Sequence, residues 1–466
     1  MDTVIAIANA VRSKERTAVS VIEECFKALP DLNVPLNAFI YLDEDGALSI
    51  AREIDAKIAR GEDPGALAGV PFGVKDLEDC RGMQTTQGSV FLLDTPPKEA
   101  DSIHVGRLRA AGAIPIGKTA ASEFGMDGAT FTKAFGVTRN PWNTDMTPGG
   151  SSGGSSAAVA AGIVPFGTST DGGGSTREPA AFTNLVGLKP SHGRIPKNGG
   201  FSNWAVHGVL TTTVADTARC LDVTSGPNDL DRQSLPTLDY RYEDVIERLG
   251  VEGLRVLFSP DHGYAVVDPE VIDIAQTAAD KLIKAAQLVR VEGYFKPTNV
   301  MPHWSAIMLA NIEQDFTEKG MLPDRFDELS QQTQRILKLR EARKDKINLK
   351  ESWEHMHQLE RDVAAFFLDH DLLMTPSTAC PPYPADQSGV PVIDGRDTTD
   401  SGVEPFGMLA NVCWNPSISI PAGFTRSGLP VGLQITVRRH RDDIALRLAR
   451  IWEQTQPWAY PWRSSE

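Results

Sequence analysis

Two runs of glycine and serine stand close together in this chain, "GGSSGGSS" from Gly149 to Ser156 and "TSTDGGGSTREP" from Thr168 to Pro179. Consecutive glycines let successive backbone N–H groups converge on one point, a nest that can hold an oxyanion. A serine hydroxyl at the edge of such a nest is a nucleophile for acyl transfer once a base takes its proton. A flexible linker would be polar on both sides. Here "AAVAAGIVPFG" separates the runs and "AAFTNLVGLKP" follows the second, so both are embedded in apolar sequence. A phosphate loop of the G-x-x-x-x-G-K-[ST] type needs a lysine that neither run supplies, and the dinucleotide fingerprint G-x-G-x-x-G does not fit either.

The missing partner is the base, for which the sequence offers two candidates. His192, in "KPSHGR", is the nearest histidine, but no G-x-S-x-G elbow is present and a single His beside a strand is more often structural. Lys75, in "GVPFGVKD", follows an apolar stretch with few charges. Burial there disfavours the ammonium form and produces a neutral amine able to act as a base. A lysine by itself is more often solvated, so the residues alone leave the choice open.

Elements must position these groups, and the chain is long enough for a large core. Its 466 residues are 41% hydrophobic and 23% charged, an ordinary globular balance. The net charge of −15 repels phosphate backbones and argues against nucleic acid as a partner. Five scattered cysteines without metal-like spacing read as reduced thiols, and hence as a cytoplasmic protein. No apolar run approaches the ~18 residues needed to cross a bilayer, and "MDTVIAIANAVRSKERTAV" reads as a helix, not a signal peptide. His355 and His357 stand two apart on a helical pattern and point to different sides, so they predict no metal site. Thr17 is placed to cap a helix running to Pro30, and "DEDGALSIAREIDAKIARGEDPG" predicts a second one. "SIHVGRLRAAGAIPIGKT" reads as a helix and then a strand, the unit of a layered α/β fold. A buried alanine-rich helix is expected over 157–166, and a helix with an acidic start over "RRHRDDIALRLARIWEQTQ".

The set "GVPFGVKD", "GKTAASEFG", "TRNPWN", "PGGSSGGSSAAVAAG", "STDGGGSTREPA" and "GLKPSHGR", nearly unbroken from Gly69 to Arg194, resembles the amidase signature family of serine hydrolases. "NPSISIPAGFTRSGLPVGLQI" adds a weaker match near the C-terminus. The resemblance implies a mixed, mainly parallel central sheet covered by helices on both faces. It implies one domain over 1–466: N-terminal helices 1–65, a signature core 66–250 and a helical lid or lobe over about 250–375. A flexible loop over 376–406 and a return to the core over 407–466 complete it. It further implies amide hydrolysis without metal or organic cofactor through a Ser–cis-Ser–Lys triad. Matched residue by residue, Ser175 is the nucleophile, Ser151 the bridging serine after a cis bond from Gly150, and Lys75 the base. The two serines stand 24 positions apart. Gly172, Gly173, Gly174 and Ser175 are expected to donate to the oxyanion, with Asp171, Arg177 and Ser152 in support.

Three departures bear on specificity: Glu178 where an apolar residue is usual, Thr212 where an arginine is usual, and Trp414 where a smaller residue is common. Trp204, Trp304 and Trp414 either line an aryl pocket or fill the core. The expected enzyme is a monomeric or homodimeric amidase of small or aryl amides, with carbamates and esters as further substrates and no membrane contact. The alternative is the glutamine-hydrolysing component of a tRNA-dependent amidotransferase. The intact Lys75, Ser151 and Ser175 argue against a non-catalytic binding protein.

Overall fold

The structure, a computed structural model, describes residues 1–199, 203–341, 348–399 and 401–460. Its strands are β1 (Phe39–Leu42), β2 (Pro71–Lys75), β3 (Ile114–Thr119), β4 (Phe131–Thr132), β5 (Gly136–Val137), β6 (Phe166–Asp171), β7 (Val186–Lys189) and β8 (Val206–Thr211). They continue with β9 (Arg255–Phe258), β10 (Val289–Arg290), β11 (Leu372–Pro376), β12 (Val392–Ile393), β13 (Arg396–Asp397), β14 (Ser417–Phe424) and β15 (Pro430–Val437). Eleven of these form one sheet in the order β1-β3-β2-β6-β8-β7-β14-β15-β11-β9-β10. The pairs β4–β5 and β12–β13 are separate hairpins. The sheet is mixed, as expected. Parallel pairing holds its two flanks, β3–β2–β6 and β11–β9–β10, and antiparallel pairing its centre from β6 to β11.

Period-two alternation explains how the centre serves both core and site. On β14 and β15, Ile418, Ile420, Leu433, Ile435 and Val437 join the core formed with helices Val214–Thr224, Pro269–Ala285 and Asp442–Thr455. Ser417, Ser419, Gln434 and Thr436 alternate with them, so they stand on the opposite face, and they are buried too. On that polar face lies the helix Arg177–Thr183, seated so closely that two strand positions have no room for a side chain. A Cβ on Gly187 would come within 2.5 Å of the Ala180 Cβ, and one on Gly432 within 2.7 Å of the Ala181 Cβ.

The N-terminal helices follow their capping signals. Thr17 Oγ1 accepts from Ser20 N, and Asp43 Oδ1 from Gly46 N, at the starts of helices Ala18–Leu36 and Glu44–Ala59. The first of these runs on through Pro30 and Pro35, past its expected end; its apolar stripe, with Leu29 and Leu36 buried, continues on the far side of Pro30. The alanine-rich segment starts earlier than expected, as the fully buried helix Gly153–Ala160, and ends before β6. Residues 250–375 hold long helices, Pro269–Ala285, Met301–Glu318 and Leu349–Asp369 among them, and also contribute β9, β10 and β11 to the sheet. Within 376–406 lies the hairpin β12–β13.

Because a methyl at Gly432 would also press on Ser377 Oγ at 2.7 Å and Ser419 Oγ at 2.8 Å, Gly432→Ala is expected to lower stability by about 1–3 kcal/mol through overpacking. The midpoint of urea unfolding measures it; an unchanged midpoint would mean that the helix does not sit this close.

Candidate active site

Lys75 ends β2 with no exposed surface, its backbone N–H held by Thr168 Oγ1 on the neighbouring β6 at 2.9 Å. Its Nζ is surrounded by hydroxyls: Ser151 Oγ at 2.8 Å, Ser152 Oγ at 2.7 Å and Thr170 Oγ1 at 2.8 Å. Burial pushes the lysine down to about 7, although the carboxylates of Glu78 and Asp171 pull the other way. The peptide bond between Gly150 and Ser151 is cis. Ser152 Oγ–H donates onward to the Ser175 carbonyl at 2.6 Å, so the lysine pocket is tied directly to the glycine turn.

That turn, Gly172–Ser175, leaves β6 and enters the helix Arg177–Thr183. Its anchor is the buried Asp171 carboxylate, which accepts from Gly174 N at 2.9 Å, Thr176 N at 3.2 Å, and Nε and one terminal nitrogen of Arg177 at 2.9 Å each. Burial alone would raise this carboxyl; the Arg177 guanidinium, helped by Lys189 and Asn411, holds it down at about 2. Arg177 is fully buried and reaches Gln434 Oε1 on β15 and Asn411 Oδ1 on the helix Gly407–Val412. Asn411 in turn donates to the Asp171 carbonyl and to the Trp204 carbonyl.

The anchor changes the expected roles within the glycine run. The Gly174 N–H is committed to Asp171, whereas the amides of Gly172, Gly173 and Ser175 have no hydrogen-bond acceptor among the described residues. Gly174 instead meets a geometric demand: it takes φ +146°, and a Cβ there would lie 2.4 Å from Glu404 Oε2. His192 has other partners. Its Nε2–H donates to Gln233 Oε1, 3.0 Å away, its ring stacks on Trp414 at 4.2 Å, and burial lowers it to about 4. No contact joins it to Ser151 or Ser175 among the described residues.

Sequence reasoning missed Thr170, Asn411, Gln434 and Glu404. The first could have been read from alternation on β6, since Thr168 and Thr170 share a face; the others come from distant segments and only the fold assembles them. Glu178, one of the departures, meets Glu404 around Gly128, where an added Cβ would lie 2.4 Å from Glu404 Oε1 and 3.2 Å from both Glu178 oxygens. Burial and the neighbouring charge raise Glu178 well above the usual carboxylate range, and burial takes Glu404 to about 7. Of the tryptophans, Trp204 is core and Trp304 is partly buried with Cζ2 3.4 Å from the Cβ position of Gly173.

The family model described as Amidase matches residues 20–446. The chain belongs to the amidase family. An acylamidase of Rhodococcus erythropolis is 34% identical over 97% of this chain and 95% of its own length. One component of the glutamyl-tRNA(Gln) amidotransferase of Azotobacter vinelandii is 32% identical over 98% of both chains. Among solved structures, a bacterial aryl acylamidase of the amidase signature enzymes superposes with a TM-score of 0.89 at 27% identity, covering 98% of this chain and 96% of that one. The amidase is thus a hydrolase of amide C–N bonds. Among its described residues no helix is long and apolar enough to cross a membrane.

The Asp171–Arg177 pair generates a stability prediction for this amidase. Arg177→Ala leaves a buried carboxylate without its cation, at an expected cost of about 3–5 kcal/mol. Denaturant unfolding reads this loss; a cost under 1 kcal/mol, about what a surface pair contributes, contradicts the anchoring role.

Proposed function

We propose that Lys75, Ser151 and Ser175 are the catalytic residues of a free-standing amidase of small aryl amides, with carbamates and esters as further substrates. The observation that carries this reading is the hydrogen-bond valence at Lys75 Nζ. A neutral amine has two N–H donors and one lone pair. Ser152 Oγ gives its own proton to the Ser175 carbonyl, so it must accept from Lys75, and Thr170 takes the other N–H, through Oγ1 at 2.8 Å and its carbonyl at 3.4 Å. The lone pair remains for the Ser151 hydroxyl, 2.8 Å away.

From that arrangement the chemistry follows. Ser151 passes its proton to Lys75 and takes the one from Ser175, whose Oγ attacks the carbonyl carbon. The developing oxyanion is held by the uncommitted amides of Gly172, Gly173 and Ser175, where loss of one donor typically costs ~3 kcal/mol. The proton returns through Ser151 to the amine as the C–N bond breaks, and water then cleaves the acyl-enzyme. Asp171 and Arg177 hold the turn, and Ser152 and Thr170 orient the amine. No metal or organic cofactor is needed for these steps. The aryl preference is supported by Trp304 and by Met408, whose Cε lies 3.8 Å from the Cβ position of Gly173, which together lay an apolar wall along the turn. The aryl acylamidase neighbour supports it as well.

The matched pair of an anilide and an aryl carbamate tests this reading. Ser175→Ala is expected to reduce both hydrolyses by ~1,000-fold or more; full activity in the variant would reject Ser175 as nucleophile. Trp304→Ala is expected to raise KM for the anilide more than for an aliphatic amide, and equal changes would remove Trp304 from the aryl wall. A wild type inert on both substrates that releases ammonia from glutamine with a partner chain would favour the amidotransferase reading, which the Azotobacter relative supports. The neutral fraction of Lys75 grows as pH rises through about 7. Accordingly kcat/KM should fall roughly tenfold per pH unit below that point and level off above it. A flat profile from about pH 5 to 8 would contradict a lysine base.

A further inference from the structure

One tight turn beyond Lys75, where the Glu78 N–H donates to the Lys75 carbonyl at 2.9 Å, ligating groups from three separate segments meet. Glu78 Oε2 lies 2.9 Å from Nδ1 of His104, on the helix Ile103–Ala110, and 2.9 Å from Nδ1 of His207, on β8. The three ligating atoms all lie within 4.8 Å of one another. Glu78 and His104 have no exposed side-chain surface, while His207 retains 14%. Glu78 Oε1 and His104 Nε2 are buried without a hydrogen-bond partner among the described residues, and His207 Nδ1, although 2.9 Å from Glu78 Oε2, makes no hydrogen bond to it. A hydrogen-bonded triad alone therefore leaves ligating capacity unused.

We propose that Glu78, His104 and His207 bind one divalent transition-metal ion of the zinc class, at a site separate from the acyl-transfer machinery. A carboxylate and two imidazoles form a donor set for such ions, with bonds of about 2.0–2.2 Å. Tetrahedral ligand atoms then stand ~3.4 Å apart, so each Glu78–His contact of 2.9 Å must open by about 0.5 Å to admit the ion. Each imidazole ligates through Nδ1 as its Nε2–H tautomer, and Glu78 supplies the negative charge. The fourth position is left to water, reached past the partly exposed His207.

The test uses the full chain, stripped with a chelator and titrated with Zn2+ in a calorimeter and with Co2+ by visible absorption. One equivalent of Zn2+ is expected to bind, and Co2+ should show the absorption of a four-coordinate nitrogen and oxygen site. His207→Gln, at the least buried ligand, should weaken Zn2+ by about tenfold or more, with the metal-free unfolding midpoint unchanged. Absence of stoichiometric binding by the wild type, or equal affinity in His207→Gln, overturns the proposal. If that variant does not fold, the wild-type cobalt spectrum decides, and its absence rejects the site.

Discussion

A single buried ion pair holds the parts of the site in one frame. Asp171 and Arg177 are both removed from water, where an unmatched charge is costly. Their fit is close because every oxygen of Asp171 and several nitrogens of Arg177 have partners drawn from the turn, from Asn411 and from Gln434. Gln434 sits on β15 and Asn411 on a C-terminal helix, so the pair ties the glycine turn after β6 to strands more than two hundred residues later in sequence. Any shift of the C-terminal hairpin moves the turn. The polar face of the sheet is therefore the reason that the turn is rigid.

Lys75 depends on the same frame for the opposite electrostatic outcome. The Arg177 guanidinium has a carboxylate facing it at 2.9 Å. Among the described residues no carboxylate hydrogen-bonds the Lys75 amine; its partners, three hydroxyls and the Thr170 carbonyl, are all uncharged. Desolvation then prevails over the more distant Glu78 and Asp171 charges. Two buried basic side chains, one ending β2 and one opening the helix after the glycine turn, thus have nearest neighbours that differ in kind.

Local chemistry was legible in the sequence where a few adjacent residues determine it. The caps at Thr17 and Asp43, the helix-then-strand unit ending at Thr119, and the acidic start at Asp442 all depend on neighbours within one turn. The motif resemblance brought the mixed sheet and the family with it. Hidden from it were contacts between distant segments: Asn411 and Gln434 on Arg177, Glu404 against Gly174, and the meeting of Glu78 with His104 and His207. Glycine runs announce a turn without saying which amides remain free, and only the acceptor at Asp171 reveals that Gly174 is committed. Continuation of a helix through Pro30 was likewise set by packing of its apolar stripe, which overrides the local penalty.

The Glu178–Glu404 pair shows where this amidase differs in character from its reaction core. Two carboxyls around Gly128, Glu178 buried and Glu404 partly so, cannot ionise together at neutral pH without a large repulsive cost, so they titrate as a pair that retains a proton. Glu404 approaches the same turn from the segment after the β12–β13 hairpin, while Trp304 approaches it from the helix Met301–Glu318. Lys75 ends β2 and Ser175 closes the turn after β6, whereas Glu404 and Trp304 come from the segment after the β12–β13 hairpin and from the helix Met301–Glu318. Such a division lets substrate preference change without disturbing the buried ion pair, since none of the wall residues supplies an acceptor to Arg177 or a donor to Asp171.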